Sequence, residues 1–377
     1  QYAEGVICAT YWDYGHIVLS SFDDYPIHSS SAPVNETASS DSNHYDRYFF
    51  NGYRADASVF FAVALGLYPN RHITDASFSV IIDGKEQISL HSSARAPQDR
   101  AQANKVGPIE VKVLEPMKRH QILVDSPEHS IRCDLTFTAR SGPIQEPHFL
   151  VKAGQRTVFD YTRLTQFGHW SGWIEVDGIK HNIEPATTSG SRDRSWGVRP
   201  IGPPADVGAP VGERQFYWLW APVNFATFAT HFDVNEYSSG ERWHETGFII
   251  PDGDSSPKEM KKVVYRSKLR AGTRWAESCS IDLIDHDDAV STVELTPLFE
   301  FHMTGIGYGN KDWGHGHWKG ELAVGLERWN LPVEHPCDPS NLHIQAICRA
   351  TMGAHTGIGI LEQLLIGPHQ PSALTGM

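Results

Sequence analysis

Near the middle of the 377-residue chain, "SGSRDRSWGVRP" (Ser189 to Pro200) places Arg192, Asp193, Arg194, Trp196 and Arg199 within eight residues. An arginine beside an aspartate gives a fixed, ionised pair with directed donors. A tryptophan beside it adds an apolar wall with one donor. Such a set can orient the polar end of a greasy substrate. It can equally lock a structural corner as a salt bridge with the indole packed beneath.

Three further stretches carry chemistry. In "FYWLWAPVNF" (Phe216 to Phe225), an extended chain puts Phe216, Trp218 and Trp220 on one face, and Tyr217 and Leu219 on the other. So dense an aromatic face fills a core or lines an apolar pocket. In "THFDVNE" (Thr230 to Glu236), His231, Asp233 and Asn235 share a face. That face either meets water or lines a polar cavity, where Asp233 or His231 can act as general acid or base. In "MTGIGYGNKDWGHGHWKGE" (Met303 to Glu321), His315 and His317 lie two apart, with His302 and Asp312 near. Two histidines and a carboxylate can bind a metal. The chain has 20 histidines, however, so chance pairs abound, and a place at a pocket edge is the stronger expectation for His315 and His317. No metal and no cofactor is expected. The chain has no GxGxxG after a strand, no P-loop, no GxSxG elbow and no HExxH.

The elements that must position these residues read as strands. "IRCDLTFTAR" alternates, with Ile131, Cys133, Leu135 and Phe137 on one face. Asp83-Gly84 and Asp177-Gly178 are hairpin signals of the type I′ form. "SVFFAVALGLY" is a buried run, and many short β-like segments follow in the second half. Helix candidates are few: "GIGILEQLLIG" (residues 357–367) and "TRLTQFG" (162–168). The predicted class is all-β, as two tandem antiparallel barrels or sandwiches. Residues 1–45 read as an N-terminal arm, 46–203 as the first β-domain and 204–377 as the second. The Pro/Gly-rich "RPIGPPADVGAPVGE" (Arg199 to Glu213) forms the seam.

A net charge of −13 argues against a nucleic-acid partner. Five scattered cysteines suit reduced thiols in a cytoplasmic protein. No apolar stretch is long enough to span a bilayer, and no signal-peptide pattern is present. A homodimer is compatible with this composition.

"HYDRYFFNGYRADASVFFAVALGLYPNR", "DYTRLTQFGHWSGWIEVDG", "SRDRSWGVRP", "FYWLWAPVNF", "HFDVNE" and "DWGHGHWKGE" together resemble a bacterial branch of the AttH-like and carotenoid hydratase (hydroxyneurosporene synthase) superfamily. The resemblance runs from Asp46 to Glu321 and on toward the C-terminus. It implies a tandem pair of lipocalin-like barrels with an apolar cavity near their junction. Members of the superfamily hydrate isoprenoid alkenes, shape polyenes for cyclisation or bind lipids. The hydratases' Asp-x-x-Trp-Gly block falls here on Asp193, Trp196 and Gly197. Their aromatic strand followed by a carboxylate falls near Tyr217 and Asp233. Arg194 stands where the hydratases tend to have histidine.

The leading expectation is a cofactor-independent lyase or isomerase acting on a hydrophobic, isoprenoid-like or aromatic molecule. Asp193 or Asp233 would supply the acid, with His231 and Tyr217 as catalytic partners. Trp196, Trp218 and Trp220 would face a cationic intermediate. Arg194 and Arg199, with His315 and His317, would bind the substrate's polar end. The competing expectations are a non-catalytic carrier of a lipid-like ligand, and a metal-dependent enzyme using His302, His315 and His317.

Overall fold

The computed structural model describes residues 19–202 and 214–376. Most of the expected seam, and Cys8, lie outside the described residues. The chain is all-β. Strands β1 (His44–Arg54), β2 (Val59–Tyr68), β3 (Ile73–Ile82), β4 (Glu86–Arg95), β5 (Ile109–Glu115), β6 (Arg119–Ser126), β7 (Ile131–Ala139), β8 (Arg156–Val176) and β9 (Thr188–Val198) come from the first half. The second half supplies β10 (Phe216–Trp220), β11 (Phe228–Glu236), β12 (Arg242–Pro251), β13 (Lys262–Leu269), β14 (Ala276–Ile284), β15 (Val290–His302), β16 (Leu322–Asn330), β17 (His343–Met352) and β18 (His355–Ile366). The helical elements among the described residues are 3-10 turns of three or four residues.

The strands form two curled antiparallel sheets, a lipocalin-like pair. The first runs β16-β4-β3-β2-β1-β9-β8-β7-β6-β5, and the second β12-β11-β10-β18-β17-β15-β14-β13. Edges β12 and β13 of the second sheet are stitched together. Arg242 Nη1 donates to the Val263 carbonyl at 2.7 Å, and the Val263 N–H donates to Glu245 Oε1 at 2.8 Å. The two hairpins turn where expected, with Asp83, Gly84, Asp177 and Gly178 all at positive φ.

Both helix candidates are strands. Residues 357–366 fall in β18, which sits between β10 and β17. Residues 162–168 fall inside β8. The reason is shared. Each stretch is covered on both faces, so the period-2 alternation that marks a half-exposed strand is erased. β2 is buried at every position for the same reason. Phe61, Val63 and Leu65 fill the first sheet's interior, while Phe60, Ala62 and Ala64 meet the second sheet. At that junction Phe60 packs on Phe301 with ring centroids 4.9 Å apart.

The division at residue 203 does not separate the sheets completely. β16 pairs with β4 from Leu322↔Ala94 to Asn330↔Glu86, so the first sheet takes its outer strand from the second half. The described part of the arm is fixed to the turn before residue 101. Ser20 Oγ donates to Asp99 Oδ1 at 2.7 Å, and Asn35 Nδ2 to the Gln98 carbonyl at 2.7 Å.

The glycine-rich segment after β15 is the crossover to β16. It is clamped to the first sheet by Gln87 Nε2 on the His302 carbonyl (2.8 Å) and by Ser79 Oγ on the Gly305 carbonyl (2.7 Å). A Cβ on Gly305 would stand 2.1 Å from Gln87 Nε2 and 2.4 Å from Ser89 Oγ. Gly305→Ala is therefore expected to cost about 1–3 kcal/mol, the range for overpacking a filled site, in chemical denaturation.

Candidate functional site

Strand register builds one wall of a site between the sheets. Arg47 on β1 and Arg163 on β8 both pair opposite Ser195 of β9, while Phe49 and Thr165 flank Asp193. Alternation sends these side chains to the junction face. The opposite wall comes from β10 and β18, where Trp220 lies opposite Glu362. Tyr308, carried by the glycine-rich crossover, closes one end. The enclosed space is about 20 Å³, room for a water molecule. This small space is heavily charged, unlike the apolar cavity expected: Arg47, Arg163, Asp193, Arg199 and Glu362 line it beside Trp218 and Trp220.

Asp193 faces this space with no hydrogen bond or ion pair to its carboxyl among the described residues. Burial pushes it above the ordinary carboxylate range, against the pull of Arg163, Arg47 and Arg199 and with help from the negative Glu362. It is not the locked salt bridge that the sequence left open.

Asp233 is the locked one. Arg163 Nη2 donates to both Asp233 Oδ2 and Glu146 Oε2, and Arg163 Nε adds a 2.7 Å bond to Glu146. Trp218 Nε1 donates to Asp233 Oδ1 at 2.7 Å, His244 Nε2 lies 3.1 Å from Oδ2, and Thr165 Oγ1 donates to Glu146 Oε1 at 2.6 Å. All three charged groups are buried. Burial raises both carboxyls, and Arg163 opposes it in both. Asp233, with His244 also beside it, ends below its ordinary range, while Glu146 ends above. One proton on Glu146 relieves the repulsion between the two acids. Asp233 is thus held by Arg163, Trp218 and His244, unlike the unpaired Asp193.

The remaining expected site residues divide by strand alternation. Trp218, Trp220 and Arg199 line the space. His231 is buried on the same face as Asp233 and stacks edge-on to Trp220 at 6.1 Å. Its ring lies 3.7 Å from Glu146, and burial lowers its pKa to about 3, which favours the neutral ring. Tyr217 points the other way, into the second sheet's core, stacked 3.8 Å from His369. Arg194 also points away. It pairs with Asp46 and lies over Tyr48 at the mouth of the first sheet. Trp196 is 42% exposed, and Trp196→Ala is expected to change stability by no more than about 0.5 kcal/mol. Turnover should be unchanged, and a fall of tenfold or more would return Trp196 to the site.

His315 reaches the site indirectly: its Nε2 is 2.8 Å from the Ile306 carbonyl, and its ring packs edge-on against Tyr308 at 4.5 Å. His317 stands outside the lining, its carbonyl accepting from Ser93 Oγ at 3.0 Å. His302 packs against Trp275 at 5.5 Å. These histidines do not converge as a metal site would require. The converging ligand atoms among the described residues belong to Glu146, His231 and Asp233, within 4.8 Å of one another. There the Arg163 guanidinium already supplies the positive charge between the two carboxylates.

Arg47, Glu146, Arg163, Tyr308 and Glu362 escaped the sequence reading. Two of them had a signal. "YDRYFFNGY" alternates Tyr45, Arg47, Phe49, Asn51 and Tyr53 on one face, and "YTRLTQF" does so with Tyr161, Arg163, Thr165 and Phe167. A lone arginine on a strand face that is otherwise aromatic or uncharged is the mark of a buried charge.

A family model described as "Family of unknown function (DUF8625)" matches residues 19–375. No curated protein matches the sequence. Among solved structures, an AttH-type protein from Nitrosomonas europaea aligns with TM-score 0.53 and 14% identity, over 90% of this chain and 98% of that one. CghA with Sch210972 aligns with TM-score 0.52 and 9% identity, over 86% and 89%. Kievitone hydratase from Nectria haematococca aligns with TM-score 0.50 and 11% identity, over 85% and 88%. At these identities the likeness shows the fold.

Proposed function

The chain belongs to the family of unknown function DUF8625, and we propose that it is a cofactor-independent hydro-lyase of the hydratase type. Its substrate would be a small hydrophobic, isoprenoid-like or aromatic molecule bearing a polar group, held between the two sheets. One observation carries the reading: Asp193 presents an unpaired carboxyl, held above its usual range, to a closed space walled by Trp218 and Trp220. Its fold is shared with a hydratase, which supports the same class of chemistry.

In the hydration direction, the protonated Asp193 carboxyl delivers its proton to one alkene carbon as water bonds to the other. The reverse sequence expels the hydroxyl as water. A carboxyl with a raised pKa is protonated below that value and loses its proton as pH rises through it. Hydration is therefore expected to slow as pH rises through the elevated Asp193 pKa. The tryptophans act as walls. Arg163 lies 5.4 Å over the Trp218 ring and 6.0 Å over the Trp220 ring, so a free carbocation there would meet a guanidinium. That disfavours the cation-holding role expected for these rings.

The test is incubation in ¹⁸O-enriched water with a panel of terpenoid and phenylpropanoid alkenes, read by mass spectrometry. The wild type should incorporate one ¹⁸O into an alcohol product, and Asp193→Asn should not. Equal conversion by both proteins would remove Asp193 from the mechanism.

A further inference from the structure

We infer that the substrate's polar group is a carbonyl conjugated to the double bond, and that Arg47, Arg199 and the Tyr308 hydroxyl hold its oxygen as it becomes anionic. The double bond is taken from the hydratase reading; the oxygen seat stands on geometry of its own. Arg47 is 2% exposed, and its Nε has no hydrogen-bond partner. Its Nη1 donates to Tyr308 Oη at 2.6 Å, and Arg199 Nη1 donates to the same oxygen at 3.2 Å. Neither guanidinium has a carboxylate within 4 Å among the described residues, although each lines the enclosed space. Arg199 rests instead on the Tyr45 ring at 4.5 Å.

A buried guanidinium without an anion is costly; Asp193 lines the same space without an ion pair to either arginine, and the other nearby acids are engaged elsewhere. Glu362 is engaged by His343 Nε2 at 2.6 Å and Gln345 Nε2 at 2.7 Å. Asp75 accepts from Tyr68 Oη at 3.0 Å and from the Gly316 N–H at 2.8 Å. Tyr308 accepts from both arginines, which leaves its own O–H free to donate. The ring is clamped edge-on by His315 and His343, each at 4.5 Å. Arg47 and Arg199 meet at the Tyr308 hydroxyl, and all three line one small space; fixed donors grouped in this way can stabilise a developing oxyanion.

The chemistry then balances without an oxidant or reductant. Water bonds to the β-carbon, and the π pair moves to place negative charge on the carbonyl oxygen held by Arg47, Arg199 and Tyr308. Asp193 delivers its proton to the α-carbon, and the carbonyl re-forms. The proton shed by the added water returns to the Asp193 carboxylate.

Crotonate and its neutral isostere crotonamide test the seat, with binding to the full chain followed by tryptophan fluorescence and thermal shift. Crotonate should bind at least about tenfold more tightly than crotonamide. Arg47→Met should cut crotonate affinity by about tenfold or more and weaken crotonamide, whose carbonyl is neutral, much less. Tyr308→Phe keeps the ring between the two histidines and should likewise weaken crotonate more than crotonamide, so it serves if Arg47→Met does not fold. Equal binding of the two probes, binding of neither, or crotonate affinity untouched in both variants would overturn the inference. The two readings fail separately. Arg47-dependent crotonate binding without any Asp193-dependent ¹⁸O incorporation would keep the seat and lose the hydratase. Asp193-dependent incorporation with no preference for crotonate would do the reverse.

Discussion

Asp193→Asn should lower turnover by about 10²–10⁴-fold, the usual contribution of a positioned general acid. Asparagine keeps the shape and polarity of the side chain but has no proton to give at this step. Substrate binding should survive, because the arginines, Tyr308 and the tryptophan walls are untouched. The same variant carries a second, independent signature. The folded-state pKa of Asp193 lies above its ordinary value, so its protonated form is the one the fold favours. The stability it contributes is present below the ordinary carboxylate pKa and is lost as pH rises through the raised one. Replacing it with a neutral amide removes that loss. Asp193→Asn should therefore be at least as stable as the wild type in alkaline solution, by denaturant midpoint. A structural salt-bridge aspartate would behave oppositely, losing stability on substitution while turnover fell only with the folded fraction.

Arg163→Met should strongly destabilise the fold at this junction. It strands the Glu146 and Asp233 carboxyls in a buried site with one cation gone, a situation that costs about 3–5 kcal/mol in comparable buried pairs. The cost should depend on pH with a definite sign. Asp233, held low by Arg163 and His244 in the wild type, contributes stability above its ordinary pKa. Without Arg163 both acids rise, and the variant must either bury negative charge or take up protons. The deficit should be largest in alkaline solution and shrink as the medium is acidified and both carboxyls protonate. Urea midpoints of both proteins across that range give the measurement. A deficit that does not vary with pH would mean that packing, not charge, accounts for it. Arg163→Lys should recover part of the loss, because one ammonium cannot reproduce the forked contact to both acids.

Period-2 alternation made much of this site readable in advance. It put Trp218 and Trp220 together and set His231, Asp233 and Asn235 on one face, as the structure has them. The same rule, applied to β9, would have split the Arg/Asp/Trp cluster. Asp193 and Ser195 face the junction, while Arg194 goes to the mouth of the first sheet and Trp196 to the surface. Reading the five residues as one constellation obscured that. The alternating face that carries Arg163 was overlooked for another reason: β8 is covered on both faces there, and a strand so covered looks locally like a helix. Glu146 and Tyr308 were beyond local pattern. Each reaches the site through a chain path, one beside β8 and one on a glycine-rich crossover, that only tertiary structure defines.

That crossover has a consequence for how the protein is made. A sheet whose outer strand is β16 cannot be finished when β9 leaves the ribosome. Until Asn330 emerges, β4 presents an unpaired backbone edge, open to pairing with other chains. By then β10 to β15 are already available to begin the second sheet. Vectorial synthesis thus supplies the first sheet's outer strand only after β10 to β15 of the second sheet have been made.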